Sequence, residues 1–354
     1  MSNWRDNVKK VVPYIPGEQP QISNIVKLNT NENPYPPSPK VEEILDSFDD
    51  KNLRKYPDPN SKHLVDALAE AYAVAPEKIF VGVGSDDVLG MAFQTFFRSN
   101  KKVLFPNITY SFYDVWCELY DIPYETQALR EDFSINREDY VKGNGGIVIA
   151  NPNAPTSLAM DVSDIEYIIK NNPGSVVIVD EAYIDFGGET ALPLIDKYDN
   201  VLVVRTFSKS RSLAGLRIGF AFGQKELIDY LNAVKNSYNS YTMNMLSIEC
   251  GMASLSDDAY FKTVVKKIID TREKYAEVLK GMGFTMPKSS SNFLFAKHES
   301  VDANVLFEEL KKKNIFVRHW NKPIIKDYLR ITVGTDDEMA KLVKALEEII
   351  PQCN

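Results

Sequence analysis

Ser208 and Lys209 follow the apolar run 201–204 after three intervening residues, and Arg217 stands eight residues beyond Lys209. The run reads as a buried strand that empties into a polar turn. An amine at such an exit can act as a nucleophile and form a Schiff base with a carbonyl. The hydroxyl before it and the guanidinium after it are both phosphate donors. Gly215 and Gly219 leave room for close backbone approach. These types at this spacing suit capture of a phosphorylated aldehyde. By itself a Ser-Lys pair reads as a surface loop; the neighbouring phosphate donors favour the chemical reading.

Further polar positions sit where an apolar strand gives way to a turn. Ile79-Phe-Val-Gly-Val-Gly-Ser85-Asp86 reads as a strand, a glycine turn and a helix start. Free backbone N–H groups at a helix start bind anions, although many α/β chains use such a turn for geometry alone. Tyr110 closes a second strand in an aromatic cluster with Phe112 and Tyr113. It reads either as core or as a ring face that stacks on a planar ligand. The strand 146–150 runs into Asn151-Pro-Asn153-Ala-Pro-Thr-Ser157, where prolines fix a loop that displays Asn151 and Asn153. A fourth strand ends in Asp180. A carboxylate there is costly unless paired, and a protonated ring nitrogen is one partner that meets the need.

The elements that must position these groups alternate as strand and helix from about 75 to 220. That pattern predicts an α/β domain with a mostly parallel sheet covered by helices and its ligand at the carboxyl edge of the strands. Before it, seven prolines in residues 1–40 predict an extended arm, and Ser38 with Pro39 predicts a capped helix to about residue 47. Amphipathic helices are predicted over 226–235 and 260–279, and shorter strands over 292–296, 315–318 and 328–333. The expected division is an N-terminal arm at 1–37, a large domain at 38–240 and a smaller α+β C-terminal domain at 241–354.

Composition narrows the chemistry. The three cysteines (Cys117, Cys250, Cys353) and three histidines (His63, His298, His319) are scattered through 354 residues. That spacing argues against a disulfide framework, a metal site or a Ser-His-Asp triad, so a cofactor is expected to supply the reactivity. A net charge of −8 argues against nucleic acid or an anionic membrane as partner, and Lys311-Lys-Lys313 reads as the end of a solvated helix. No apolar run approaches the ~18 residues of a membrane span, and the N-terminus lacks a signal-peptide core, so a cytoplasmic location is expected.

Taken together, Tyr110, Asn153, Asp180-Glu-Ala-Tyr183, Ser208-Lys209 and Arg217 resemble the pyridoxal 5'-phosphate site of the fold-type I aminotransferases. Within that group, six segments are similar to the histidinol-phosphate aminotransferase family. They are Leu28-Asn-Thr-Asn-Glu-Asn33, Arg54-Lys-Tyr56-Pro57, Asp180-Glu-Ala-Tyr-Ile-Asp-Phe186, Thr206-Phe-Ser-Lys209, Leu213-Ala-Gly-Leu-Arg217 and Leu329-Arg-Ile-Thr-Val-Gly334. The resemblance implies that Lys209 carries the cofactor and shuttles a proton, that Asp180 keeps the pyridine nitrogen protonated, and that Tyr183 bonds O3′. It also implies that Tyr110 stacks on the ring. The cofactor phosphate would be held by Ser208, Arg217 and the amides of Ser85 and Asp86, with Tyr56 reaching it from the neighbouring subunit of a homodimer.

Arg318 and Arg330 would grip the substrate anion, with Tyr14 and Asn31 of the arm completing the wall. Where that family has an asparagine for O3′, this chain has Ala154, and Asn153 is expected to supply the contact. The activity implied is amino-group transfer between L-histidinol phosphate and 2-oxoglutarate, giving imidazole-acetol phosphate and L-glutamate in histidine biosynthesis. An aromatic amino-acid aminotransferase and a threonine-phosphate decarboxylase are neighbouring readings.

Overall fold

The computed structural model describes residues 3–353. A seven-stranded sheet is built from β2 (Ile79–Gly82), β3 (Val103–Pro106), β4 (Tyr124–Gln127), β5 (Gly146–Ala150), β6 (Val177–Asp180), β7 (Val201–Thr206) and β8 (Gly219–Gly223). Their spatial order is β2-β8-β7-β6-β5-β3-β4. Neighbours run parallel except β8, which is antiparallel to both β2 and β7.

The inner strands read as unbroken apolar runs because helices cover both faces. Side chains alternate between the faces, as the two-residue period requires. Ile147, Ile149, Val177, Val179, Val201 and Val203 join one core with residues of α2 (Lys62–Tyr72), α5 (Val162–Lys170) and α7 (Met245–Leu255). Val148, Ala150, Ile178, Leu202 and Val204 join the opposite core with α3 (Gly84–Phe96), α4 (Tyr113–Leu119) and α6 (Lys225–Tyr238). The predicted helix at 38–47 is α1 (Pro39–Ser47), with Ser38 Oγ accepting the Lys40 N–H at 3.2 Å.

A second sheet, antiparallel, has the order β12-β13-β10-β9, from β9 (Phe284–Thr285), β10 (Phe293–His298), β12 (Arg318–His319) and β13 (Leu329–Thr332). It packs with α8 (Asp258–Gly281), α9 (Ala303–Lys312) and α10 (Asp336–Cys353) around Leu294, Leu306, Leu310, Ile331 and Leu342. The arm is less purely extended than its prolines suggest. It holds a 3-10 turn at Trp4–Asn7, and its strand β1 (Val26–Lys27) pairs in parallel with β11 (Ile315–Phe316). Val26 and Leu28 thereby enter the second core.

Candidate active site

The carboxyl ends of β2, β5, β6 and β7 share one edge of the large sheet, and the antiparallel return of β8 brings a fifth element to it. Gly219, the first residue of β8, pairs with both Gly82 and Thr206. The link from β7 to β8 therefore leaves and re-enters at that edge, displaying Lys209 on the way out and Arg217 on the way back. Two glycines make the crowding feasible. A Cβ on Gly219 would lie 2.2 Å from the Gly84 carbonyl carbon, and one on Gly84 (φ +83°) would lie 2.4 Å from the Arg217 guanidinium. Gly215, also expected to allow close approach, faces open space.

At this edge a small cavity of about 100 Å³ is lined by Ser85, Tyr110, Asp180, Tyr183, Lys209 and Arg217, among others. Asp180 is buried at its floor, where Tyr113 Oη donates to Oδ2 at 2.8 Å and the Ala182 N–H donates to Oδ1 at 3.2 Å. Burial pushes its carboxyl up to about 6 against the pull of those two donors. Tyr183 Oη accepts from Asn31 Nδ2 at 2.9 Å, and Asn31 is itself held by Thr332 and Asn292.

Tyr110 Oη donates to Asp86 Oδ1 at 2.7 Å, and Asp86 Oδ2 pairs with Arg217 at 3.0 Å. Arg217 Nη1 also lies 3.4 Å from Ser208 Oγ. The N-terminus of α3 has no side-chain cap, so its first N–H groups, those of Ser85 and Asp86 included, are available to an anion. Asn33 Nδ2 donates to the carbonyls of Lys209 and Ser210, fixing the turn, and Lys209 Nζ lies 3.4 Å from the Thr30 carbonyl oxygen.

A larger cavity of about 380 Å³ opens beside Lys209 and reaches Tyr14, Asn31, Arg318, Trp320 and Arg330. Tyr14, from the arm, stacks on Phe112 with ring centroids 4.2 Å apart. Arg330 Nη2 donates to the Asn29 carbonyl at 2.7 Å, whereas its Nε is buried without a hydrogen-bond partner among the described residues. Burial pulls the Arg330 guanidinium below its ordinary range; Tyr183 opposes this and Arg318 adds to it.

Two predicted residues are not brought to these cavities. Asn153 is buried under the loop, where its Oδ1 accepts from Thr109 and its Nδ2 donates to the Ile108 carbonyl and to Thr156 Oγ1. Its amide is engaged in loop structure, so in this arrangement it presents no free polar group toward the expected O3′ position. Ala154 lines both cavities without a polar group. Tyr56 is 79% exposed and stacks on Tyr241 beside a separate hollow lined by Ile44, Met245 and Ile248. Conversely, the sequence reading gave no role to Tyr113 or Trp320. Tyr113 lies three residues beyond Tyr110, near enough to join the same site, but its partner Asp180 is 67 positions away.

Residues 23–346 match the sequence model of the family Aminotransferase class I and II. The chain is 50% identical over 348 residues to the histidinol-phosphate aminotransferase of Lactococcus lactis subsp. cremoris (strain SK11), covering 98% of each chain. It is 49% identical to that of Chromohalobacter salexigens, again covering 98% of both. The chain belongs to the histidinol-phosphate aminotransferase family. In fold it is similar to the crystal structure of a Sinorhizobium meliloti histidinol-phosphate aminotransferase in complex with pyridoxal-5'-phosphate. There the TM-score is 0.85 and identity 24%, covering 93% of this chain and 91% of that one.

The cofactor of the family is pyridoxal 5'-phosphate, and the residues fit it. A buried carboxylate whose donors among the described residues are one phenol and one backbone amide suits a protonated ring nitrogen. The uncapped start of α3, with Ser208 and Arg217 beside it, suits a phosphate dianion.

Proposed function

We propose that this chain transfers the amino group of L-histidinol phosphate to 2-oxoglutarate, giving imidazole-acetol phosphate and L-glutamate, within histidine biosynthesis. The observation that carries the reading is the pair Arg318 and Arg330 in the cavity that opens on Lys209. Two guanidiniums suit a phosphate dianion and, in the second half-reaction, the carboxylates of 2-oxoglutarate and glutamate.

When bound, pyridoxal 5'-phosphate supplies the electron sink that lets the substrate Cα–H bond break. Lys209 Nζ takes that proton and returns it, from a turn pinned by Asn33. Asp180, held by Tyr113, keeps a proton on the ring nitrogen. Ser208, Arg217 and the N–H groups of Ser85 and Asp86 anchor the cofactor phosphate. Tyr183, oriented by Asn31, would offer its hydroxyl to the ring oxygen of the bound cofactor, and Tyr110 would provide an aromatic face for the ring. Tyr14 shields the cavity from water on the arm side.

We read the enzyme as a cytoplasmic homodimer in which Tyr56 completes the partner's phosphate site. Its exposure, together with the apolar hollow beside it, supports this. The cytoplasmic location rests on the biosynthetic role. The arm at 1–37, large domain at 38–240 and small domain at 241–354 are the proposed working parts, with α7 a helix of the third packed on the second.

Single-turnover reactions with histidinol phosphate, phenylalanine and threonine phosphate test the assignment. Histidinol phosphate should react fastest and yield a ketone. Carbon dioxide release without ketone would identify a lyase instead. Loss of the cofactor's visible absorbance in Lys209→Ala tests the lysine.

A further inference from the structure

Arg318 and Arg330 share a third neighbour. The Arg318 Cζ lies 5.4 Å from the centroid of the Trp320 ring, and the Arg330 Cζ lies 5.2 Å from the same ring. An indole face attracts guanidinium through its quadrupole, and Arg is the cation most often held in this way. The ring is itself anchored. It packs against the apolar cluster of Ile108, Phe133, Phe295 and Ile325, on the wall of the larger cavity.

The cluster answers a specific electrostatic problem. Arg318 and Arg330 are direct cross-strand partners, so their like charges face each other on one side of the sheet. Neither forms a salt bridge among the described residues, and the hydrogen bonds they make are to backbone carbonyls of Ile15 and Asn29. A carboxylate partner would quench the repulsion, but it would also compete with the substrate anion. An aromatic face holds both cations without neutralising either.

We propose that Trp320 is a positioning residue for the anion clamp, keeping both guanidiniums in place and free of an acidic partner until a phosphate or carboxylate enters. The inference deepens the substrate reading given above and rests on it. It distinguishes Trp320 from a wall residue chosen for bulk. An aliphatic side chain of similar reach would fill the wall but would leave two repelling cations without a common support.

Titration calorimetry of the cofactor-loaded protein with inorganic phosphate tests this directly, since the cofactor's own phosphate then occupies the other anion site. Trp320→Leu should weaken phosphate binding about tenfold, the scale of a partly desolvated cation–π contact, and Trp320→Phe should recover most of the loss. KM for the phosphorylated amine should follow the same order, with a larger change in KM than in kcat. Should Trp320→Leu fail to fold, fluorinated tryptophan provides a second measurement. It keeps the ring's outline but weakens the negative face, and binding should fall with each added fluorine.

Unchanged affinity in Trp320→Leu, or equal weakening in Trp320→Leu and Trp320→Phe, would overturn the role of the aromatic face. Affinity insensitive to fluorination would do the same. Phosphate binding untouched by both Arg318→Leu and Arg330→Leu would instead remove the clamp itself, and with it the substrate reading.

Discussion

Arg318 and Arg330 face each other across the β12–β13 ladder, and both open into the cavity that holds Lys209. Facing like charges lower stability. The fold tolerates the pair, as expected if the two guanidiniums serve the proposed anion clamp at some cost in stability.

Removing either guanidinium should therefore cost affinity more than stability. Arg330→Gln should raise KM for histidinol phosphate and for 2-oxoglutarate by about 100-fold, since charged hydrogen bonds are worth roughly 1.5–3 kcal/mol each. Arg318 is more exposed, and Arg318→Gln should cost about tenfold. Steady-state kinetics with both substrates, alongside melting curves, check this. An early-melting Arg330→Gln would show the residue to be structural.

Asp180 sets a pH dependence with a definite sign. Its folded carboxyl is pushed up to about 6 by burial, well above an unfolded aspartate. Between about pH 4 and pH 6 the cofactor-free folded protein therefore binds more protons than the unfolded chain, and this group's contribution to stability falls as pH rises. Relative to Asp180→Asn, the cofactor-free wild type should lose on the order of 2–3 kcal/mol across that window. Urea melts of both proteins at a series of pH values measure the difference; parallel curves would show that Asp180 does not titrate there. Bound cofactor should reverse the trend, because a pyridinium stabilises the charged carboxylate.

Tyr113 holds Asp180 at 2.8 Å. Tyr113→Phe removes one of two donors that favour the charged form, so the carboxyl should move further up. Cofactor affinity at neutral pH should fall about tenfold, the scale of a hydrogen bond to a charged group. Equilibrium dialysis of pyridoxal 5'-phosphate is the measurement, and undiminished affinity would reduce Tyr113 to a core residue.

Ser157 is a fully buried residue with φ +65°, and its hydroxyl has no partner among the described residues. Both features are unfavourable for serine: the left-handed conformation costs roughly 1–2 kcal/mol outside glycine, and an unmet buried hydroxyl adds to it. Ser157→Gly should stabilise the folded protein by about 1 kcal/mol after the added chain entropy is counted. Chemical denaturation checks the sign; a destabilised variant would mean that the hydroxyl finds a partner in solution.

Much of this molecule is written locally. The apolar strands at 146–150 and 201–204, the Ser38 cap and the polar residues at strand ends follow from side-chain period and helix-end chemistry, which act over a few residues. They determine an α/β sheet with its ligand edge at Ser85, Tyr110, Asp180 and Lys209. What tertiary structure decided depends on partners far apart in the chain. Only strand register sets Arg318 opposite Arg330, and only packing brings Tyr113 to Asp180. Asn153 shows the same dependence on partners brought in by the fold. Its type fits a ligand contact, but the neighbouring backbone and Thr109 take its amide first. Tyr56 depends on a level beyond the single chain: its ring lies exposed at the surface, and the proposed role in a neighbouring subunit's phosphate site needs a second copy.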